Sequence, residues 1–280
     1  MIDYIRKKLD KRKRKRTFRE YGHSVDQFQI EGIGKVDYAQ WLHPSDKPKE
    51  VTLKNIQFYQ RLARPGSLII DVGAHTGDTS VPMALAVGKE GTVLALEPNR
   101  YVFKILEKNA QLNPQRTNII PLCLAATEES GEFEFNYSDA SFCNGGFLSQ
   151  IEKRRHGHNY TLTVTGTNLQ KMLTEQYSAL LPKLDLLKID AEGYDKEILK
   201  TIPDILDTYR PNLMVECYKR LNNDERHELF DVITQHGYEL FKLTDFEDVD
   251  TRIKLEKDNM NDEKHFEMLA LHPLRSNGAD

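Results

Sequence analysis

The stretch Leu68–Glu97 constrains the fold more strongly than any other part of this chain. Its first segment, Leu68–Val72, is short, apolar and rich in β-branched residues, which is typical of a strand buried on both faces. A turn bracketed by Gly73 and Gly77 follows, then an Ala/Val-rich helical segment, and then a second apolar run, Thr92–Leu96. Strand, helix and strand in this order predict an α/β fold with a mostly parallel central sheet and helices on both of its faces.

The acidic residues around the glycine turn are placed as in a nucleotide-type site. Glu97 lies twenty residues after Gly77, the distance at which a carboxylate reaches ribose hydroxyls. The turn is Gly-x-x-x-Gly rather than the Gly-x-Gly-x-x-Gly of dinucleotide sites, and Asp71 at its mouth would repel a pyrophosphate. This pattern favours a ligand with an ammonium group and no phosphate, such as S-adenosylmethionine. Thr79 and Ser80, with Asp78, are expected to cap the helix that follows.

Three motifs together carry a family resemblance: Asp71–Asp78, Glu97–Asn99 and Leu187–Asp195. From about Lys54 to about His272 the chain resembles the FkbM-type family of class I S-adenosylmethionine-dependent methyltransferases. The first motif is shared by most class I methyltransferases, whereas Lys-Ile-Asp-Ala-Glu-Gly is much more specific to this family. The resemblance implies a Rossmann-like fold with an antiparallel last strand. It also implies O-methylation of sugars, glycans or other hydroxylated metabolites.

The resemblance further implies which residues meet the cofactor. Glycines let the backbone approach a ligand closely, and Glu97 can accept hydrogen bonds from both ribose hydroxyls. Small apolar residues follow a third predicted strand, at the place where the family contacts adenine. The implied cofactor-binding residues are Asp71, Gly73, Ala74, His75, Thr76, Gly77, Glu97, Pro98, Asn99, Ala125, Ala126 and Asp190.

Carboxylates at the ends of two further predicted strands are the candidate catalytic groups. Asp190 follows the apolar run Leu184–Ile189, and Glu216 ends another run. Ligands bind at the carboxyl ends of strands in open α/β sheets, and a hydroxyl acceptor needs a base to take its proton. The candidates are Asp190 first, then Glu192, then Glu216. Asp190 has a rival role in binding the methionine end of the cofactor or a divalent metal.

The segment Ser138–Tyr160 is predicted to be a long acceptor loop, with disorder as the alternative. Its cations and aromatic residues suit an anionic or sugar-containing acceptor. The predicted substrate contacts are Asn144, His156 and His158, together with Tyr194. His156 and His158 could also join an oxygen-rich metal site, but a single His-x-His pair is weak evidence, so the prediction is a metal-free reaction.

Charge is distributed very unevenly along the chain. The segment Arg6–Arg16 holds nine Lys or Arg, and the rest of the chain has 30 basic and 42 acidic residues, a formal net charge of −12. A body this acidic excludes a nucleic-acid partner, whereas residues 1–16 could make a weak contact with a membrane surface. Three cysteines without a paired spacing, and no long apolar run or signal-peptide core, predict a cytoplasmic protein of undetermined oligomeric state.

The expected organisation is an N-terminal extension, residues 1–53, followed by a methyltransferase domain, residues 54–280. The part Phe18–Glu50 reads as irregular, either a lid over the substrate or a segment packed on the core. Thr165–Leu169 is predicted to open a helix, and Gly166–Asn168 departs from the Leu-Asp-Asp usual in the family. Two other classes stay open: a binding or scaffold protein that has lost catalysis, and a nicotinamide-dependent oxidoreductase.

Overall fold

The computed structural model describes residues 18–137, 147–148, 160–245 and 251–276, and residues 147–148 by their backbone alone. The strands are β1 (His23–Ile30), β2 (Gly34–Trp41), β3 (Leu68–Val72), β4 (Thr92–Leu96), β5 (Ile119–Leu122), β6 (Ala125–Ala126), β7 (Gly131–Tyr137), β8 (Phe147–Leu148), β9 (Tyr160–Thr167), β10 (Leu184–Ile189), β11 (Asn212–Cys217), β12 (Glu239–Leu243), β13 (Arg252–Lys254) and β14 (Phe266–Leu271). The helices are α1 (Leu53–Leu62), α2 (Ser80–Val87), α3 (Arg100–Gln111), α4 (Leu169–Gln176), α5 (Asp195–Lys200), α6 (Pro203–Tyr209), α7 (Asn223–Thr234) and α8 (Pro273–Ser276). Two short 3₁₀ helices lie at Leu181–Lys183 and Lys257–Asn261.

The central sheet of the described residues has the order β13-β12-β14-β11-β10-β3-β4-β5. The pairs from β11 through β10, β3 and β4 to β5 are parallel, whereas β14 is antiparallel to both β11 and β12. This arrangement confirms the predicted α/β class, with its mostly parallel sheet and antiparallel last strand. It also places the carboxyl ends of β3, β4, β10 and β11 on one edge.

Both faces of the sheet are covered because its inner strands are apolar at every position or nearly so. In β3, Leu68, Ile70 and Val72 pack into a core with α4, α5, α6 and α7. Ile69 points to the opposite face, where α1 and α2 pack with part of α3. Alternate residues of a strand point to opposite faces, so a strand that is buried throughout must be covered on both.

A second, smaller sheet has the order β6-β9-β7-β8. Gly166 lies in β9, where β6 and β7 pair on either side of it. A Cβ at this position would lie 2.5 Å from the Phe133 ring and from Oγ1 of Thr127, so only glycine fits. The predicted helix start at Thr165 is therefore wrong: the strand continues to Thr167, and Asn168 caps α4 by accepting from Lys171 N at 2.9 Å.

The expectation of an irregular segment before α1 is also wrong for most of its length. Strands β1 and β2 form an antiparallel hairpin, and β2 packs against α3. The side chain of Asn109 on α3 binds both backbone groups of Ala39, with Ala39 N donating at 2.6 Å and Ala39 O accepting at 3.1 Å. Tyr38 and Thr76 share a buried hydrogen bond of 2.8 Å between their hydroxyls. The hairpin is thus joined to the core beside the glycine turn.

No helix within the described ranges is long and apolar enough to cross a membrane. The basic segment 1–16 lies outside the described residues, and so do Asn144, His156 and His158.

Candidate active site

A cavity of about 500 Å³ opens where the carboxyl ends of β3, β4, β10 and β11 meet. Many residues singled out in the sequence line its wall: Gly73, His75, Glu97, Pro98, Ala125, Ala126, Asp190, Glu192, Tyr194 and Glu216. The others that the structure describes do not contribute to that wall: Asp71, Ala74, Thr76, Gly77 and Asn99. The topology therefore brings the cofactor-type and the catalytic-type residues to one cavity.

Glu97 stands directly after β4 and is almost completely buried. Two backbone groups hold its carboxylate, since Asn99 N donates to Oε1 at 2.8 Å and His75 N donates to Oε2 at 3.1 Å. Burial raises the pKa of Glu97 to about 7, although these hydrogen bonds act in the opposite direction. Each carboxylate oxygen can accept a further hydrogen bond, so Glu97 can receive two hydroxyls of a ligand in the cavity.

Gly73 is the point at which the glycine turn meets the end of β10. Its φ is +81°, and a Cβ there would lie 2.1 Å from the carbonyl oxygen of Asp190. The turn is also held by a hydrogen bond of 3.0 Å from Gly73 N to Leu96 O. Any other residue would push Asp190 away from the turn, so the two motifs depend on each other sterically.

Asp71 is fully buried beneath the turn. Its Oδ2 accepts hydrogen bonds from Thr79 Oγ1 at 2.8 Å and from Ser80 Oγ at 2.6 Å, and its Oδ1 lies 3.3 Å from Lys188 Nζ. Thr79 and Ser80 occupy the N-cap and the first position of α2 as predicted, but the Thr79 side chain makes no capping hydrogen bond, because both hydroxyls donate to Asp71 instead. The Asp71 carboxylate faces Lys188 rather than the cavity.

Lys188 connects this buried carboxylate to the cavity. Its Nζ lies 3.3 Å from Asp71 and 3.4 Å from Oδ2 of Asp190. Burial alone would lower the pKa of Lys188, but the charges of Asp71 and Asp190 raise it well above its ordinary value. Lys188 is not among the residues predicted from the sequence, although a lysine in the apolar run Leu-Asp-Leu-Leu-Lys-Ile indicates that a buried anion lies nearby.

The turn after β10 is held in place by the carboxylate of Asp195. Its carboxylate accepts hydrogen bonds from Ala191 N at 3.2 Å and from Gly193 N at 3.0 Å. These bonds hold Glu192 and Gly193 at positive φ values of 53° and 100°. Burial, followed by the charge of Asp190, raises the pKa of Asp195 to about 7. The motif Asp-Ala-Glu-Gly-Tyr-Asp thus makes a rigid turn that holds Asp190 and Glu192 at the cavity wall.

The far end of the cavity is formed by Glu216, His265 and Glu267. Burial, followed by the charges of Asp190, Glu192 and other carboxylates, raises the pKa of Glu216 to about 9. Burial and Asp190 raise the pKa of Glu267 to about 7, against the charge of Lys188. Two members of this group, His265 and Glu267, were not predicted from the sequence. Glu267 was detectable as a charge within the apolar strand Phe-Glu-Met-Leu-Ala-Leu, whereas His265 had no local signal.

The segment after β2 adds charged residues to the cofactor side of the cavity. Asp46 and Lys49 line it, and Lys49 Nζ lies 3.0 Å from Oδ2 of Asp78. His75 is half-buried beside them, with a positive φ of 48°. Burial lowers the pKa of His75 below its ordinary value, although Asp78 and Asp46 oppose this. The sequence offered a lid and simple packing for this region, and the structure shows packing by the hairpin together with wall residues from the segment that follows.

Comparison with known proteins shows which family this chain belongs to. The family model described as the methyltransferase FkbM domain matches residues 71–240, more than half of the chain. The chain is 27% identical over 156 residues to the ubiquinone/menaquinone biosynthesis C-methyltransferase UbiE of Wigglesworthia glossinidia brevipalpis, covering 56% of this chain and 55% of that protein. It is 27% identical over 146 residues to the hexuronic acid methyltransferase AglP of Haloferax volcanii, covering 52% of this chain and 54% of that protein. The chain thus spans about half the length of each of these relatives.

Among solved structures, an FkbM methyltransferase from Methylobacillus flagellatus KT aligns with a TM-score of 0.43 and 13% identity, covering 77% of this chain and 50% of that one. The family match includes the glycine turn, Glu97 and the Asp190 turn, the same elements that build the cavity wall. The chain therefore belongs to the FkbM family of S-adenosylmethionine-dependent methyltransferases.

Proposed function

We propose that this protein transfers a methyl group from S-adenosylmethionine to a hydroxyl of a sugar, a glycan or another hydroxylated metabolite. The observation that carries the proposal is a single cavity lined both by Glu97 and by Asp190 with the carboxylates beyond it. One part of the wall suits a ribose, and the other offers bases for a hydroxyl proton.

The residues present fit the cofactor. Glu97 keeps free acceptor capacity for the two ribose hydroxyls, since each of its oxygens takes a single backbone N–H. Ala125 and Ala126 leave room for a flat ring at the wall. The carboxylates of the wall suit a ligand that carries a sulfonium and an ammonium group. Nδ2 of Asn99, next to Glu97, is a buried donor without a hydrogen-bond partner among the described residues.

S-adenosylmethionine, when bound, supplies a methyl group that its sulfonium has already activated. The protein then has to orient the acceptor, exclude water and take one proton. Asp190 is placed to accept the hydroxyl proton as the acceptor oxygen gains the methyl group. Lys188 forms an ion pair with the carboxylate of Asp190. The hydrogen bond from Ala191 N to Asp195 fixes the backbone that follows Asp190. Glu192 lines the same cavity and is the second candidate for the base. Glu216, the third candidate, also lines it, but its pKa of about 9 leaves it protonated at neutral pH and argues against this role.

The class of acceptor rests on the activity of one relative. AglP is described as a hexuronic acid methyltransferase, which supports a carbohydrate acceptor. UbiE is described as a C-methyltransferase at the same level of identity, so a carbon acceptor is the competing outcome. Tyr194 and Tyr218 line the cavity, and their rings suit contact with the face of a sugar ring or of another ring-shaped metabolite.

Calorimetry with S-adenosylhomocysteine and with NAD tests the cofactor. We expect the protein to bind S-adenosylhomocysteine, and the variant Glu97→Ala to bind it at least tenfold more weakly. The control variant Glu107→Ala, at an exposed glutamate on α3, should bind it like the parent. Binding of NAD alone would favour the oxidoreductase class instead.

A panel of acceptors with a labelled methyl donor tests the reaction. Neutral sugars, uronic acids and phenols should be compared with their deoxy or methoxy analogues, which lack the hydroxyl. Methylation that persists without any free hydroxyl would refute O-methylation. Cofactor binding without turnover on any acceptor would favour the scaffold class.

A further inference from the structure

We infer that Glu216, His265 and Glu267 form a binding site for one divalent metal ion at the far end of the cavity. One carboxylate oxygen from each glutamate and one ring nitrogen from His265 lie within 4.8 Å of one another. All three side chains line the cavity. The group is separate from Glu97, and the inference about metal binding does not depend on the methyl acceptor.

The two glutamates are brought together by the sheet itself. Glu216 on β11 and Glu267 on β14 are direct partners in the antiparallel register. Like charges opposite each other in a sheet are destabilising, and Asp190 and Glu192 add to the negative charge around Glu216. The buried ammonium group of Lys188, whose charge acts on Glu267, already lies between Asp71 and Asp190. A cation at the two glutamates would offset this repulsion.

Glu216 presents an unused ligand atom. Its side chain is only 8% exposed, and its Oε2 is buried without a hydrogen-bond partner among the residues that the structure describes. A buried carboxylate oxygen with no partner is costly, because it loses its hydration and gains nothing in return. A metal ion bound at this oxygen removes that cost.

The imidazole distinguishes this group from an ordinary acidic cluster. Nδ1 of His265 lies 3.3 Å from Oε1 of Glu216. Two ligand atoms at this separation, each about 2.1 Å from one ion, subtend roughly 100° at the ion, which tetrahedral or octahedral coordination accommodates. The remaining positions would face the cavity.

His265 follows a segment that is firmly anchored. The guanidinium of Arg226, buried on α7, donates to the carbonyl oxygens of Met260 at 3.1 Å and of Glu263 at 2.8 Å, and also to that of Lys264. The backbone immediately before His265 is therefore held in place. Ligands held in place by such surrounding hydrogen bonds bind a metal with little reorganisation.

The donor set points to a transition-metal ion rather than to calcium. Carboxylates suit Mg²⁺, Ca²⁺ and Mn²⁺, whereas imidazole suits Zn²⁺, Fe²⁺ and Ni²⁺, so a mixed set favours Mn²⁺ or Zn²⁺. The role of the ion rests on the proposed function: bound there, it would hold an oxygen of the acceptor and make a hydroxyl easier to deprotonate. The sequence favoured a metal-free reaction, and the histidines weighed there as metal ligands were His156 and His158. The site proposed here uses neither of them.

Metal binding is measured directly, on the full-length protein with any affinity tag removed. Mn²⁺ is titrated by electron paramagnetic resonance and Zn²⁺ by calorimetry, after dialysis against a chelator. We expect one equivalent of either ion per chain, and at least a tenfold loss of affinity in Glu216→Gln, His265→Asn and Glu267→Gln. Glu239→Gln, an exposed glutamate on the neighbouring strand β12, should bind like the parent.

Binding of S-adenosylhomocysteine to the same variants separates this inference from the proposed function. If the variants bind the nucleoside normally but the parent binds no ion, or binds one that all three variants keep, the metal site is refuted and the methyltransferase proposal stands. The reverse result, ion binding without nucleoside binding, refutes the proposed function alone. A variant that binds neither the ion nor the nucleoside is compared with the parent by circular dichroism to test whether it is folded. If it is not, the other two variants decide the question.

Discussion

The two parts of the cavity are built on opposite principles. At the cofactor side, Glu97 receives two backbone hydrogen bonds, and Asp71 is neutralised by Lys188 and two hydroxyls. At the far side, Glu216 and Glu267 face each other with an unsatisfied oxygen. On the first side each carboxylate has hydrogen-bond or ion-pair partners, and among the described residues the amide donor Asn99 Nδ2 beside Glu97 lacks one, whereas on the second side a carboxylate oxygen is left unpaired. Paired carboxylates thus characterise the part proposed to bind the cofactor, and an unpaired carboxylate oxygen characterises the part where an acceptor and an ion are proposed.

The largest effect is expected from Asp190→Asn, which removes the proposed base where the two parts meet. Turnover should fall by about 10²- to 10⁴-fold, because a positioned base contributes that much. Affinity for S-adenosylhomocysteine should stay within a few fold, since Asn keeps the shape of the side chain. The measurement is transfer of a labelled methyl group, with Asp204→Asn, exposed on α6, as the control. Unaltered turnover would exclude Asp190 as the base, and lost nucleoside binding would assign it to the cofactor.

Lys188→Met should show how far the pairing of carboxylates on the cofactor side depends on one charge. Removing the partner of a buried carboxylate costs about 3–5 kcal/mol, and Asp71 is fully buried. Urea unfolding followed by circular dichroism measures this loss. The double variant Lys188→Met/Asp71→Asn should recover much of it, whereas Lys104→Met, from an exposed pair with Glu20, should change little. Equal losses in the single and double variants would contradict the proposed pairing.

The pKa of Glu97 predicts how nucleoside binding depends on pH. A carboxyl group with a pKa of about 7 is ionised above pH 7 and protonated below it. Ribose hydroxyls donate to the ionised form, so affinity for S-adenosylhomocysteine should be constant at high pH and fall by up to about tenfold per unit below pH 7. Calorimetry at pH 6, 7 and 8 measures this. Glu97→Gln should bind more weakly and lose the dependence, and a variant with an unchanged pH profile would point to another titrating group.

The smallest effect is expected from Tyr38→Phe, which removes the hydroxyl that joins the hairpin to the glycine turn. The hydrogen bond with Thr76 is buried, so the free energy of unfolding should fall by about 0.5–1.5 kcal/mol. Thr76→Val in the same background should add less than it does alone if the pair acts as a unit. Additive losses would show that the two hydroxyls act independently.

The positions of the glycine turn and of Glu97 follow from the sequence because their determinants are local. Gly73, Gly77 and Glu97 lie within one strand-helix-strand unit, where spacing along the chain translates directly into position. Asp190 was equally accessible, since it follows a strand that reads as fully apolar except for Asp185 and Lys188. What a spacing could not show is the direction of a side chain, which is why Asp71 was expected to face the ligand.

The far side could not be predicted in the same way because its residues are distant in sequence. Glu216 and Glu267 become neighbours only because β14 enters between β11 and β12, and no local pattern specifies that insertion. The hairpin formed by β1 and β2 was missed for another reason. Its outer strand is almost wholly exposed, so it lacks the apolar alternation from which a strand is recognised.

The late position of β14 in the chain has a consequence for the order of assembly. The β3–α2–β4 unit can form from contacts close in sequence as soon as it leaves the ribosome, and parallel neighbours extend it on both sides. Strands β11 and β12 have no shared partner until residues 266–271 are synthesised. Arg275 then binds the carbonyl oxygens of Tyr209 and Leu184, which joins the last helix to the start of β10. A nascent chain can therefore form its β3–α2–β4 unit early, while an exposed sheet edge persists until β14 is inserted.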